Sequence, residues 1–160
     1  NDPLDDASEI DVRENVDKLF INFFPNVDLV PKFPNLTKLN VTLQQNYLKL
    51  GRYKKLTHLD VWGYTIHDLT ISKSTKFISF ACYKFAAMPN FEHFQFEEIE
   101  LFECENVDWL AEFLAKDETR VKKLIIESTK MSHEVLNALV KHGFKITNFV
   151  SGGQINIRRM

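Results

Sequence analysis

Between Phe96 and Gly153 the pattern apolar-x-x-apolar-x-apolar returns three times at a fixed spacing of 25 residues. Phe96-x-x-Ile99-x-Leu101 is followed by Val121-x-x-Leu124-x-Ile126 and then by Ile146-x-x-Phe149-x-Ser151, only the last position being polar. Alternating apolar positions are what a strand with one buried face requires. Between the copies lie segments with helical spacing: Trp109, Leu110, Phe113 and Leu114 within Val107 to Ala115, and Val135, Leu136, Leu139 and Val140 within Ser132 to Lys141. Ser132 suits an N-cap, and Gly143 falls where that helix should stop. A unit this short buries its apolar face only against the next copy, so the period predicts a solenoid.

The same motif is present upstream at a shorter spacing. Val16-x-x-Leu19-x-Ile21, Leu36-x-x-Leu39-x-Val41 and Leu56-x-x-Leu59-x-Val61 stand 20 residues apart. Their connections carry Pro25-Asn26, Pro31, Pro34-Asn35 and Gly51, and are too short and proline-broken for long helices. Thr75-x-x-Ile78-x-Phe80 is a weaker copy with a polar first position. A fifth copy can be framed on Phe91-x-x-Phe94-x-Phe96, since Met88-Pro89-Asn90 echoes Phe33-Pro34-Asn35, or on Phe96-x-x-Ile99-x-Leu101. The Phe96 frame is preferred, because it restores a 21-residue step from Thr75 and the 25-residue step to Val121. Residues 1–12 are expected to be an acidic lead-in, 13–153 a single repeat domain, and 154–160 a tail or an edge strand, as Gln154 to Ile157 alternates.

Composition narrows the function classes. A 44% apolar and 26% charged chain is that of a globular protein, with 14 Phe to fill its core. A net charge of -2 argues against general nucleic-acid binding, which needs a basic face. No run approaches the apolar length of a membrane span. The acidic start has no basic-then-apolar leader, and a chain that does not begin with Met leaves room for a processed or truncated start. Two cysteines, Cys82 and Cys104, read as reduced thiols, although a disulfide between them is conceivable because both follow strands of adjacent copies. An intracellular location is expected, cytoplasmic or nuclear, with a mitochondrial one as the alternative. The two sequons, Asn35-Leu-Thr and Asn40-Val-Thr, are accounted for by chance.

In Phe96-Glu97-Glu98-Ile99-Glu100-Leu101-Phe102-Glu103-Cys104-Glu105-Asn106-Val107 the residues resemble a leucine-rich repeat of the cysteine-containing subtype, L-x-x-L-x-L-x-x-C-x-x-I. The stretch Val121 to Leu139 is similar to the same unit, with Thr129 in place of the cysteine. This subtype occurs in the substrate-binding halves of F-box proteins, and related repeats make up mitochondrial coupling factor B. The resemblance is good over 96–153, fair over 16–66 and poor between 67 and 90. It implies an α/β, leucine-rich-repeat-like right-handed solenoid of about seven short parallel strands, with helices in the C-terminal repeats and a concave face for a partner. An F-box-like helical segment is not among these residues. The implied function is a non-enzymatic adaptor or substrate-recognition module for another protein. The alternative is an accessory subunit of a larger assembly such as a mitochondrial complex.

His58, His67, His93, His133 and His142 have no metal-ligand spacing, and no nucleophile elbow, phosphate loop or dinucleotide fingerprint occurs. Neither catalytic residues nor a metal nor a cofactor is therefore expected; an enzyme remains the minor alternative. Cys104 reads as a small buried residue at the repeat's cysteine position. The run Glu97, Glu98, Glu100, Glu103 and Glu105 reads as a solvated acidic patch, without the environment that splits the pKa values of a catalytic carboxylate pair.

The face opposite the core is the candidate binding surface. One outward row should be Phe20, Asn40, Asp60, Ser79, Glu100, Ile125 and Val150, and the adjacent one Asn22, Thr42, Trp62, Ala81, Phe102, Glu127 and Gly152. The positions expected to meet a partner are Phe20, His58, Asp60, Trp62, Glu98, Glu100, Phe102, Lys123, Ile125 and Glu127. Exposed aromatics beside charges are what protein-binding hot spots use. No nucleic-acid or membrane partner is expected.

Overall fold

Every second side chain of a strand points to one face, so the repeated motif can be satisfied by stacking one strand per copy. A computed structural model describes residues 13–22, 32–43, 47–86, 91, 93–116, 121–127, 129–150 and 154–159. The expected lead-in, 1–12, lies outside them. In chain order the elements are β1 (Lys18–Ile21), β2 (Lys38–Leu43), β3 (Tyr47–Lys49), β4 (His58–Ile66), β5 (Asp68–Thr70), β6 (Phe77–Phe85), β7 (Glu98–Phe102), α1 (Trp109–Leu114), β8 (Lys123–Glu127), α2 (His133–Lys141), β9 (Phe144–Val150) and β10 (Gln154–Arg159).

The main sheet runs β1-β2-β4-β6-β7-β8-β10-β9. From β1 to β8 it is parallel, and Leu19, Leu39, Leu59, Ile78, Ile99 and Leu124 stand side by side across it. This is the register of the Phe96 frame. Each copy is also locked to the one before it ahead of the strand. Thr37 and Lys38 N–H groups donate to the Asp17 carbonyl (2.8 and 3.0 Å), Thr57 and His58 to Thr37, Lys76 and Phe77 to Thr57, Glu97 and Glu98 to Lys76, and Lys122 and Lys123 to Glu97. One carbonyl serving two successive donors fixes the register from outside the sheet. Thr75 shows why a polar residue is tolerated at a motif's first position. It is as buried as Leu36 and Leu56, and its hydroxyl donates to the Leu56 carbonyl at 3.3 Å.

The connections differ between the two ends of the stack. Among the described residues the short ones hold no helix; β3 and β5 instead pair in parallel as a second, two-stranded sheet, with Leu48, Leu50 and Ile71 buried. The long ones carry α1 and α2. Glu103 and Asn106, both with positive φ (52° and 60°), turn the chain from β7 towards α1, and the Asn106 amide is tied to the Phe85 carbonyl at 3.1 Å. Behind the sheet, Phe80, Phe85, Phe91, Phe96, Trp109 and Phe113 meet in mostly edge-to-face contacts, for example Phe91–Trp109 at 4.8 Å. In α2, Ser132 Oγ accepts from the Val135 N–H and Gly143 closes the helix at φ 75°. Its buried stripe is narrower than its spacing suggests. Val135 and Leu139 are buried, Leu136 is half-buried, and Val140 is 65% exposed.

Among the described residues the helices lie in the C-terminal connections, as expected. Two expectations are corrected. Six strands, rather than seven, form the parallel run among the described residues. Finally, the segment expected as a tail or edge strand, β10, lies inside the sheet, antiparallel to both β8 and β9. Ile155 and Ile157 face Ile126 and Leu124 in register, so β10 offers β8 the same alternation that β9 does. The antiparallel pairing it makes is the slightly more stable kind, and a short connection suffices to return it along β9. Asn156 consequently takes the place beside Ile125 that was expected for Val150. Gly152 lies outside the described residues.

Candidate functional site

Opposite the core, the six parallel strands present a grid of side chains. One row is Lys18, Lys38, His58, Phe77, Glu98 and Lys123; the next is Phe20, Asn40, Asp60, Ser79, Glu100 and Ile125; the third is Thr42, Trp62, Ala81, Phe102 and Glu127. The middle row has short side chains, Asn40, Asp60 and Ser79, between longer ones. The result is a groove of about 450 Å³, bounded by Phe20 at one end, Glu98 and Glu100 at the other, and the His58 and Phe77 rings along one side.

Asp60 lies in the middle of this groove. Its Oδ2 accepts from the Asn40 amide at 2.6 Å. Its Oδ1 is shielded from solvent and has no donor among the described residues. In the adjoining row, His58 stacks on Phe77 with 4.1 Å between centroids and 14° between planes, and its Nδ1 lies 2.8 Å from the Thr57 hydroxyl. Burial, helped by the Lys38 charge and opposed by Glu98, holds the imidazole pKa below its ordinary value, which favours the neutral ring at pH 7.

At the β7 end the acidic run is cross-braced. Lys123 donates to Glu100 (3.0 Å) and Glu98 (3.2 Å), and the Glu100 bond, ahead of the Glu98 one, raises the lysine pKa against an opposing burial penalty. Outside the grid, Glu97 lies between Lys122 (2.7 Å) and Lys76 (3.1 Å), which hold its carboxyl below the usual range, and Glu105 pairs with Lys130. Carboxylates of one copy thus meet lysines of a neighbouring copy, the sheet form of opposite-charge pairing. Four members of the run expected to be a plain solvated patch, Glu97, Glu98, Glu100 and Glu105, form a charge ladder between repeats.

Of the expected partner-facing residues, the groove collects Phe20, His58, Asp60, Glu98 and Glu100. Trp62, 51% exposed, stands one row away, separated from the half-buried Phe102 only by Ala81. Lys123, Ile125 and Glu127 lie on β8, half-buried and beyond the groove lining. Sequence reasoning left out Lys18, Lys38 and Phe77, which line the groove, although the same register that gave His58 and Glu98 would have supplied them. It also left out Tyr64, 75% exposed and two residues beyond Trp62 on the same strand. Continuing the β4 alternation by one step would have found it.

Cys82 and Cys104 are buried free thiols. The Cys104 thiol donates to the Phe80 and Phe102 carbonyls, and burial is the main cause of a pKa pushed up to about 11. A thiol so protonated is poorly suited to act as a nucleophile at pH 7. Thr129 lies beside it, its hydroxyl accepting from the Cys104 N–H at 3.1 Å. Among the described residues no group of three His, Cys, Asp or Glu side chains is placed to hold a metal, and no helix is long and apolar enough to cross a membrane. The open face offers hydrogen-bond acceptors, fixed charges and exposed rings. Compared with family models, curated proteins and solved structures, the chain matches none of them.

Proposed function

We propose that this chain is a leucine-rich-repeat-like, non-enzymatic interaction module that binds another protein across the open face of its parallel sheet. The observation that carries this reading is the registered outer surface. Phe20 (81% exposed), Trp62 and Tyr64 stand on the same face as a groove with an acceptor in its middle. Exposed rings beside fixed charges have the composition of an interface core. A strand ladder gives them a rigid base, so little conformational entropy is lost on binding.

Affinity capture from cell extract, followed by mass spectrometry, tests the reading. A Phe20→Ser/Trp62→Ser variant should keep its thermal transition and lose a protein that the wild type retains. Identical sets of captured proteins would move the working surface elsewhere.

A further inference from the structure

The rings and the groove make different demands on a partner. Trp62 and Tyr64 offer area; the groove offers an anion. Asp60 is held in place by Asn40 at 2.6 Å, yet its second oxygen is covered and accepts nothing from the described residues. A carboxylate oxygen removed from water without a donor is costly to maintain, and a ligand donor reaching it recovers that cost. No cation of the described residues forms an ion pair with Asp60. Lys123 is engaged by Glu98 and Glu100, and Lys38, which lines the groove on the neighbouring strand, is in register with His58. The wall beside Asp60 is the flat, stacked pair of His58 and Phe77.

Resting on the interaction reading above, we propose that the groove is a subsite for an arginine side chain of the partner protein, with Asp60 as its anchor. Arginine suits these demands better than lysine. Its planar guanidinium can lie against aromatic rings while donating several N–H bonds in one plane, and it is the more weakly hydrated cation. An anionic group, phosphate included, would meet the Asp60 carboxylate in the middle of the groove. Lys18 on the end strand and Lys38, in register with His58, line the same groove and discourage a second cation, so the subsite takes one arginine and not a basic stretch. Entry is through the groove, with the covering side chains parting to let the donor reach Oδ1.

The probe is N-acetyl-arginine methylamide, titrated into the isotope-labelled full chain at up to tens of millimolar while amide shifts are read by NMR, as isolated side-chain ligands bind at about the millimolar level. Shifts should centre on Asn40, Asp60 and Ser79. They should weaken at least tenfold with the citrulline analogue, which keeps the shape and loses the charge, and should vanish in Asp60→Asn, a near-isosteric change. An absence of shifts, an equal response to citrulline, or an unchanged response in Asp60→Asn would each overturn the proposal, as would tighter binding of the glutamate analogue. The Phe20→Ser/Trp62→Ser variant separates the two readings. Capture that depends on it without any arginine response removes the subsite and leaves the interaction module. An arginine response without such capture does the reverse.

Discussion

The two ends of this stack share one strand ladder and solve its backing in different ways. Where copies are 20 residues apart, the connection between β2 and β4 has room for a three-residue strand, and β3 pairs with β5 to cover the core. Where they are 25 apart, the five further residues admit a helix, and α1 brings Trp109 and Phe113 onto the Phe-rich core. The front of the sheet is indifferent to this change, because its register is set by the strands and by the shared carbonyls before them. Repeat length therefore determines the back of the solenoid, and the alternation within the motif determines the front.

The largest effect that can break this comparison is expected at Trp109. Trp109→Ala should cost about 3–5 kcal/mol, since it empties the contact between α1 and the sheet. Trp109→Phe should cost less, as it keeps a ring and removes an indole N–H that is buried without a partner among the described residues. In the short-repeat half Leu48→Ala should cost about 2–5 kcal/mol; chemical denaturation measures all three. A neutral Leu48→Ala would mean that the β3–β5 sheet does not cover a core. Leu124→Ala, expected in the same range, tests the shared ladder, and a neutral result there would undo the register.

Next in size is a pH effect confined to the long-repeat half. An unfolded cysteine ionises near pH 9.0 and folded Cys104 at about 11. The contribution of the protonated thiol is full below pH 9 and is lost as the pH rises towards 11, by about 2–3 kcal/mol in all. Denaturation midpoints of wild type and Cys104→Ala should therefore converge with rising pH over that interval. Parallel pH profiles would show that this thiol is not shielded from water. Gly143→Ala should cost about 1–2 kcal/mol, because its φ of 75° suits few other residues. Smallest of all, Lys123→Met should change stability by under about 1 kcal/mol, the usual scale of an exposed ion pair, and by less in high salt. A larger loss would make the charge ladder a structural element and not a trim.

Much of the front of the molecule was legible in the sequence. The spacing of Leu19, Leu39, Leu59, Ile78, Ile99 and Leu124 gave the register, and with it the outward rows through β8. The depth of the groove was not legible. A row of Asn40, Asp60 and Ser79 becomes a depression only beside the heights of Phe20, His58 and Phe77, which is a property of the assembled grid. The back was half legible: α1 and α2 announce themselves by helical spacing, whereas three-residue strands such as β3 and β5 are too short to carry a period. The insertion of β10 was not legible either. Both β9 and β10 alternate, and which of them takes the edge of β8 is decided by pairing geometry, which neither sequence states.

The most direct test of the central claim, that the open face is where a partner binds, is site-specific photo-cross-linking. Benzoylphenylalanine placed at Trp62 on the sheet and, separately, at Val140 on α2 samples two exposed sites on opposite sides of the solenoid. Irradiation in cell extract should yield a discrete protein adduct from position 62 and none from position 140. An adduct from position 140 alone would place the partner on the helical side and contradict the account.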